Sequence, residues 1–115
     1  MFDIESALIG WTRDELGVPC AATPPKDRPA RFVTVERTGG ASSLGVDRPV
    51  VAFQCWAPKN EDAAALAGAL RRALVERATA VPEICRASVD GCYRFPDPDS
   101  RMARYQVVAS FVTRP

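Results

Sequence analysis

Few residues in this chain could carry chemistry, and what is missing constrains the reading more than what is present. The sequence has no histidine and four cysteines, Cys20, Cys55, Cys85 and Cys92. A serine or cysteine nucleophile needs a base within reach, so Ser–His and Cys–His arrangements are excluded. No two cysteines have C-x-x-C spacing, and a zinc or redox site of that type would also lack its histidines. Cys55 falls in an apolar alternating stretch, where a thiol behaves as a small hydrophobe. A Cys85–Cys92 bridge would be kept reduced in the cytosol, so the expectation is buried free thiols. Asp97 and Asp99 offer two carboxylates. The glycine and distal glutamate of an EF-hand loop are absent, however, and the interleaved Pro96 and Pro98 read as a turn. Gly39-Gly40 and Gly45 lack the Lys-Ser/Thr that completes a phosphate-binding loop. Glu61-Asp62 opens a helix and answers its dipole; Arg71-Arg72 reads as a solvated helix face. With no catalytic, cofactor or metal set in view, the chain is expected not to be an enzyme.

The bulk properties narrow the class further. At 115 residues the chain is long enough for a single domain, 1–115, and too short for two. Lys plus Arg number 15 and Asp plus Glu 14, giving a net charge of +1 and no electrostatic footprint for nucleic acid or an anionic membrane. No apolar run approaches the roughly 20 residues needed to cross a bilayer. Met1-Phe2-Asp3-Ile4-Glu5-Ser6 has neither the basic nor the apolar region of a signal peptide, so the expected location is the cytoplasm or something assembled there.

The elements that would position these residues are marked by periodicity and punctuation. From Lys59 to Ala78, Ala63, Leu66, Ala67, Leu70, Ala73 and Leu74 recur at spacings of three and four and form one apolar stripe. Asn60 is a good N-cap type, and Pro58 and Pro82 bound the helix. An earlier helix is expected from Asp3 to Leu16, capped by Asp3 and closed by Gly17 in the left-handed C′ position, with Trp11 as a core anchor. Val18 to Ala30, with four prolines, reads as a connector without regular structure. Strands are expected over Arg31–Thr38, Arg48–Ala57, Glu83–Tyr93 and Arg101–Thr113. Between the first two, Gly39–Asp47 reads as a flexible loop of small residues, with Pro49 at a strand start or edge. Between the last two, Arg94–Ser100 reads as a turn. Within each strand alternation divides the residues between two faces: Phe32, Thr34 and Glu36 against Val33, Val35 and Arg37; Val51, Phe53 and Cys55 against Val50, Ala52, Gln54 and Trp56; Tyr105, Val107, Ala109 and Phe111 against Gln106, Val108, Ser110 and Val112. The resulting fold class is α+β: an α-β-β-α-β-β two-layer domain with an antiparallel four-stranded sheet and two helices packed on one face. The apolar residues on the second face, such as Val50, Trp56 and Val108, would be covered by neighbouring subunits.

The stretch Arg28-Pro29-Ala30-Arg31-Phe32-Val33-Thr34-Val35-Glu36-Arg37-Thr38-Gly39-Gly40 is followed by Asp47-Arg48-Pro49-Val50-Val51-Ala52-Phe53-Gln54-Cys55-Trp56-Ala57 and then by an alanine-rich helix. In order and pattern this resembles the small tail terminator (tail completion) proteins of long-tailed phages and prophages, particularly those of actinobacterial hosts. The Pro-rich connector and the Asp-Pro-Asp turn vary from that pattern. The resemblance implies a homohexameric ring that caps the tail tube, ends its polymerisation and presents a surface to head-completion or connector proteins. It implies a place in the virion at the head–tail junction, after assembly in the host cytoplasm. DNA would pass through the lumen without being read, with no membrane contact, and no cofactor is implied. A head–tail connector or head-closure ring subunit is the nearby alternative; a small host binding module with a ferredoxin-like sheet is the alternative from another class. Gly39–Asp47 and Phe95–Arg101 are expected to project and touch other proteins, with Arg37, Asp47, Arg48, Asp97, Asp99 and Arg101 as polar contacts.

Overall fold

The computed structural model describes residues 2–114. Among these, the elements run α1 (Ile4–Leu16), β1 (Cys20–Ala21), β2 (Phe32–Ser43), β3 (Val46–Ala57), α2 (Asn60–Arg77), a 3-10 turn (Ala78–Ala80), β4 (Ile84–Arg94) and β5 (Ala103–Thr113). The α+β class is as expected, but the sheet is five-stranded and mixed, in the order β1-β2-β3-β5-β4. The additional strand, β1, lies in the connector expected to be irregular. It pairs parallel to β2 through Cys20–Val33 and Ala21–Thr34, and the Val33 N–H donates to the Pro19 carbonyl at 3.0 Å. The remaining pairs are antiparallel.

The helices form for the reasons their sequences suggest. In α1 the Asp3 carboxylate accepts the Ser6 N–H at 3.2 Å, and Gly17 turns out at φ 65° with its N–H on the Arg13 carbonyl. The buried stripe of α2 is Ala63, Leu66, Ala67, Leu70, Ala73 and Leu74, as the spacing required. Asn60 is not its cap. The helix begins at Asn60, and Lys59 takes the extended cap position without a side-chain bond. Both helices share a core with one face of the sheet, where Val33, Val35, Val51, Phe53, Cys55, Val107, Ala109 and Phe111 meet Ile4, Leu8, Leu66, Leu70 and Leu74. Trp11 packs against this core only half-buried; Ile4, Leu8 and Thr12 are the fully buried residues of α1. An ion pair of 2.6 Å between Arg77 and Glu15 joins the helices at the surface.

The Gly39–Asp47 segment is not a flexible loop. β2 continues to Ser43, β3 begins at Val46, and only Leu44-Gly45 turns the hairpin, with Gly45 at φ 76°. Small residues pair here because the β3 side supplies a continuous partner, Ser43–Val46 through Gly39–Val50. A register shift between Arg37 and Gly39 bulges the strand at Thr38. Gly40, at φ 106°, lies so close to β3 that a Cβ would stand 2.1 Å from the Arg48 carbonyl oxygen, so only glycine fits. Pro49 lies inside β3, not at its start. Pairing between β3 and β5 passes from Asp47–Thr113 to Val50–Ser110 and skips Pro49, whose missing N–H therefore costs no ladder bond.

The far edge of the sheet is β4. It is interrupted by register shifts between Ile84 and Arg86 and between Val89 and Gly91, leaving Cys85 and Asp90 as extra residues. The two exposed cysteines, Cys85 and Cys92, are both on this strand, so the expectation of buried thiols fails for them and holds for Cys20 and Cys55. Burial pushes the Cys20 thiol up to about 11 and that of Cys55 higher still.

Candidate functional site

The face of the sheet away from the helices carries the most organised polar structure in the molecule. Phe32 and Trp56, directly opposed on β2 and β3, stack at 5.3 Å with planes 12° apart. The indole N–H of Trp56 donates to Thr34 Oγ1 at 3.2 Å, and the Thr34 hydroxyl donates to Gln54 Oε1 at 2.8 Å. Gln54 Nε2 donates to Gln106 Oε1 at 2.8 Å, and Gln106 Nε2 donates to the Tyr93 hydroxyl at 2.6 Å. These five side chains form one donor-to-acceptor chain crossing β2, β3, β5 and β4. From Thr34 onward the links run one way across the sheet, each acceptor side chain donating to the next. The chain ends on Tyr93, which is 44% exposed and whose O–H finds no acceptor among the described residues.

Two segments without regular structure roof one end of this ladder. Arg28, from the Pro-rich connector, holds its guanidinium 5.0 Å from the Trp56 ring, and Arg104 of β5 stands 4.9 Å from the same ring. Arg104 is also 4.5 Å from the Phe95 ring and donates to the Phe95 and Pro96 carbonyls at 2.7 and 3.3 Å, which pins the turn before β5. Trp56 is consequently only 3% exposed. The expected covering by neighbouring subunits is not needed at Trp56, because its own chain covers it; Val50 and Val108 are left half-buried. Between the connector and the Phe95–Asp99 turn lies an open groove of about 450 Å³, floored by Thr34, Gln54 and Trp56, with Glu36, Asp97 and Asp99 on its walls. A Ser100 hydrogen bond, with Arg104 and Arg28 nearby, lowers the Asp97 carboxyl below its ordinary value, so it stays ionised.

The expected contact residues divide into three sets. Arg37 and Asp47 come together in a two-pronged ion pair, 2.7 and 2.9 Å, across the base of the β2–β3 hairpin. The paired guanidinium and a Ser42 hydroxyl hold the Asp47 carboxyl down to about 2. Glu5 of α1 accepts the Arg37 N–H at 2.8 Å, tying the hairpin to the first helix. These two charges thus serve the chain itself. Asp97 and Asp99 share the groove, where the Asp99 N–H donates to Asp97 Oδ1 at 3.4 Å. Arg48 and Arg101 stand apart from each other and from the groove walls, both exposed. Arg28, Arg104, Gln106 and Tyr93 were not singled out as site residues by sequence. The signal available was the alternation that put Gln54 with Trp56 on one face of a strand and Gln106 on one face of another.

Among the described residues no three His, Cys, Asp or Glu side chains converge as metal ligands, and no helix is long and apolar enough to cross a membrane. The chain matches no known protein family, and no curated protein matches its sequence.

Proposed function

We propose that the chain is a structural phage protein, a tail terminator whose copies form a ring on the tail tube, end its growth and join it to the head connector around a DNA channel. The observation that carries this reading is the resemblance of Arg28–Gly40 and Asp47–Ala57 to such proteins, on residues that here build one continuous hairpin leading into the alanine-faced α2. Two further features support it. The hairpin ends in the exposed tip Leu44-Gly45, and the sheet carries an open groove near its opposite end. A ring of identical copies needs two unlike surfaces on each. A net charge of +1 suits a conduit, because a strongly basic lumen would hold DNA through its phosphates.

The test is to add the purified chain to tubes assembling from the tail-tube protein of the phage or prophage that encodes it. Tube growth should stop, and the chain should sediment with the tubes and label one end in electron micrographs. Tubes of unrestricted length with no bound chain would remove the reading. A small binding module is the second reading, favoured by the groove beside Trp56, where aromatic rings, carboxylates and guanidinium groups converge.

A further inference from the structure

We infer that the hairpin tip of one copy docks in the groove beside Trp56 of the next. The inference rests on the ring reading and supplies its subunit contact. Leu44, at the turn between β2 and β3, is fully exposed, and a lone exposed leucine would need no explanation. It shares the hairpin with Arg48, which lies opposite Ala41. Arg37 and Asp47 neutralise each other at the base of the hairpin, whereas Arg48 is exposed and has no ion-pair or hydrogen-bond partner among the described residues.

The groove has the opposite imbalance. Arg104 is held by two backbone carbonyls and two rings, and Arg28 lies over Trp56. The Glu36 and Asp99 carboxylates make no side-chain hydrogen bond or ion pair among the described residues, and Asp97 beside them stays ionised. The groove carries three carboxylates, Glu36, Asp97 and Asp99, against two guanidinium groups, Arg28 and Arg104, which leaves a net negative charge for Arg48 of the hairpin to meet. Phe95, exposed on the groove lining, gives Leu44 an apolar surface to meet.

The two surfaces cannot meet within one chain. From Ala52, the partner of Glu36 on the groove wall, to Val46 at the turn, β3 runs paired with β2 for six steps of about 3.3 Å, so the tip lies roughly 20 Å beyond the groove. A paired hairpin does not fold back on itself, so the occupant is a second copy. The contact is head-to-tail, the type that propagates until a ring closes.

Sedimentation velocity of the intact chain, up to about 1 mM, tests this, because contacts as weak as a millimolar dissociation constant are then populated. The wild-type chain should self-associate. Arg48→Glu and Asp99→Arg should each weaken association about tenfold through like-charge contact, and the double exchange should restore it to within about threefold. Leu44→Asp should weaken it at least as much as either. These positions are exposed, so circular dichroism should show the fold unchanged. A wild-type chain that stays monomeric at about 1 mM, or association indifferent to Arg48→Glu and Leu44→Asp, would overturn the inference. The tube-capping assay reports on the ring reading separately: capping without tip-dependent association leaves the ring and removes only this contact.

Discussion

On the helix side of the sheet, Val33, Val35, Phe53, Val107 and Phe111 are closed over by α1 and α2, and the packing there is apolar. On the other side, Thr34, Gln54, Gln106 and Tyr93 carry a ladder of hydrogen bonds, roofed at one end by a connector and a turn rather than by helices. The first face depends on volume, and its failure would be a cavity. The second depends on satisfied donors and acceptors, and its failure would be an orphaned polar atom. The comparison teaches that one strand can serve both: Val33 and Thr34 are neighbours in β2, and each is almost fully buried for a different reason.

Substitutions can separate these two kinds of order. Phe53→Ala, in the middle of the closed face, removes a fully buried ring and should cost about 3–5 kcal/mol in chemical denaturation. A loss below about 1 kcal/mol would mean that the helices collapse onto the gap and that the closed face is not tightly packed. Gln54→Leu keeps the bulk but cuts the ladder at two links, stranding Thr34 Oγ1 and Gln106 Oε1. It should cost about 1–3 kcal/mol and shift Trp56 fluorescence, since the indole N–H bonds to that same Thr34 hydroxyl. Unchanged stability and emission would mean that water replaces the ladder at no cost.

Asp47→Asn addresses the hairpin beyond both faces and should have the smallest effect. The pair is partly exposed, 30% at Arg37 and 22% at Asp47, so a loss of about 1 kcal/mol or less at neutral pH is expected. Its pH dependence follows from the depressed carboxyl. The charged form is favoured in the folded state, so the contribution is complete above the ordinary value of 3.8 and is lost as pH falls towards about 2. Wild type and variant should therefore converge in stability near pH 2; a gap that persists there would mean Asp47 acts by shape rather than by charge.

What could be read in advance followed from local repetition. The α2 stripe emerged complete because six residues share one period, and alternation divided β2, β3 and β5 each into two faces, of which the structure turns Val33, Phe53 and Val107 inward. β1 was hidden because two residues between prolines carry no period; they become a strand only by meeting Val33 and Thr34, more than ten positions away. The hairpin tip was hidden for a related reason. Gly39, Gly40, Ser42 and Ser43 have weak strand preference, and what makes them a strand is the partner supplied across the turn. In the candidate site, alternation put Thr34, Gln54 and Gln106 each on one face of its own strand, but their linkage depends on register between strands far apart in sequence. Arg37 and Asp47 flank the glycine-rich segment ten positions apart, and nothing local in the sequence pairs them. In the folded chain the hairpin brings them face to face.

The kinks at Cys85 and Asp90 have a bearing on crowding. A foreign strand laid along β4 would fall out of step with it at the first kink and again at the second, so this rim is a poor template for growth. Stacking into fibres is discouraged there by the backbone alone, whatever the side chains facing it. Pairing between copies along that border is therefore confined to the short runs between the kinks.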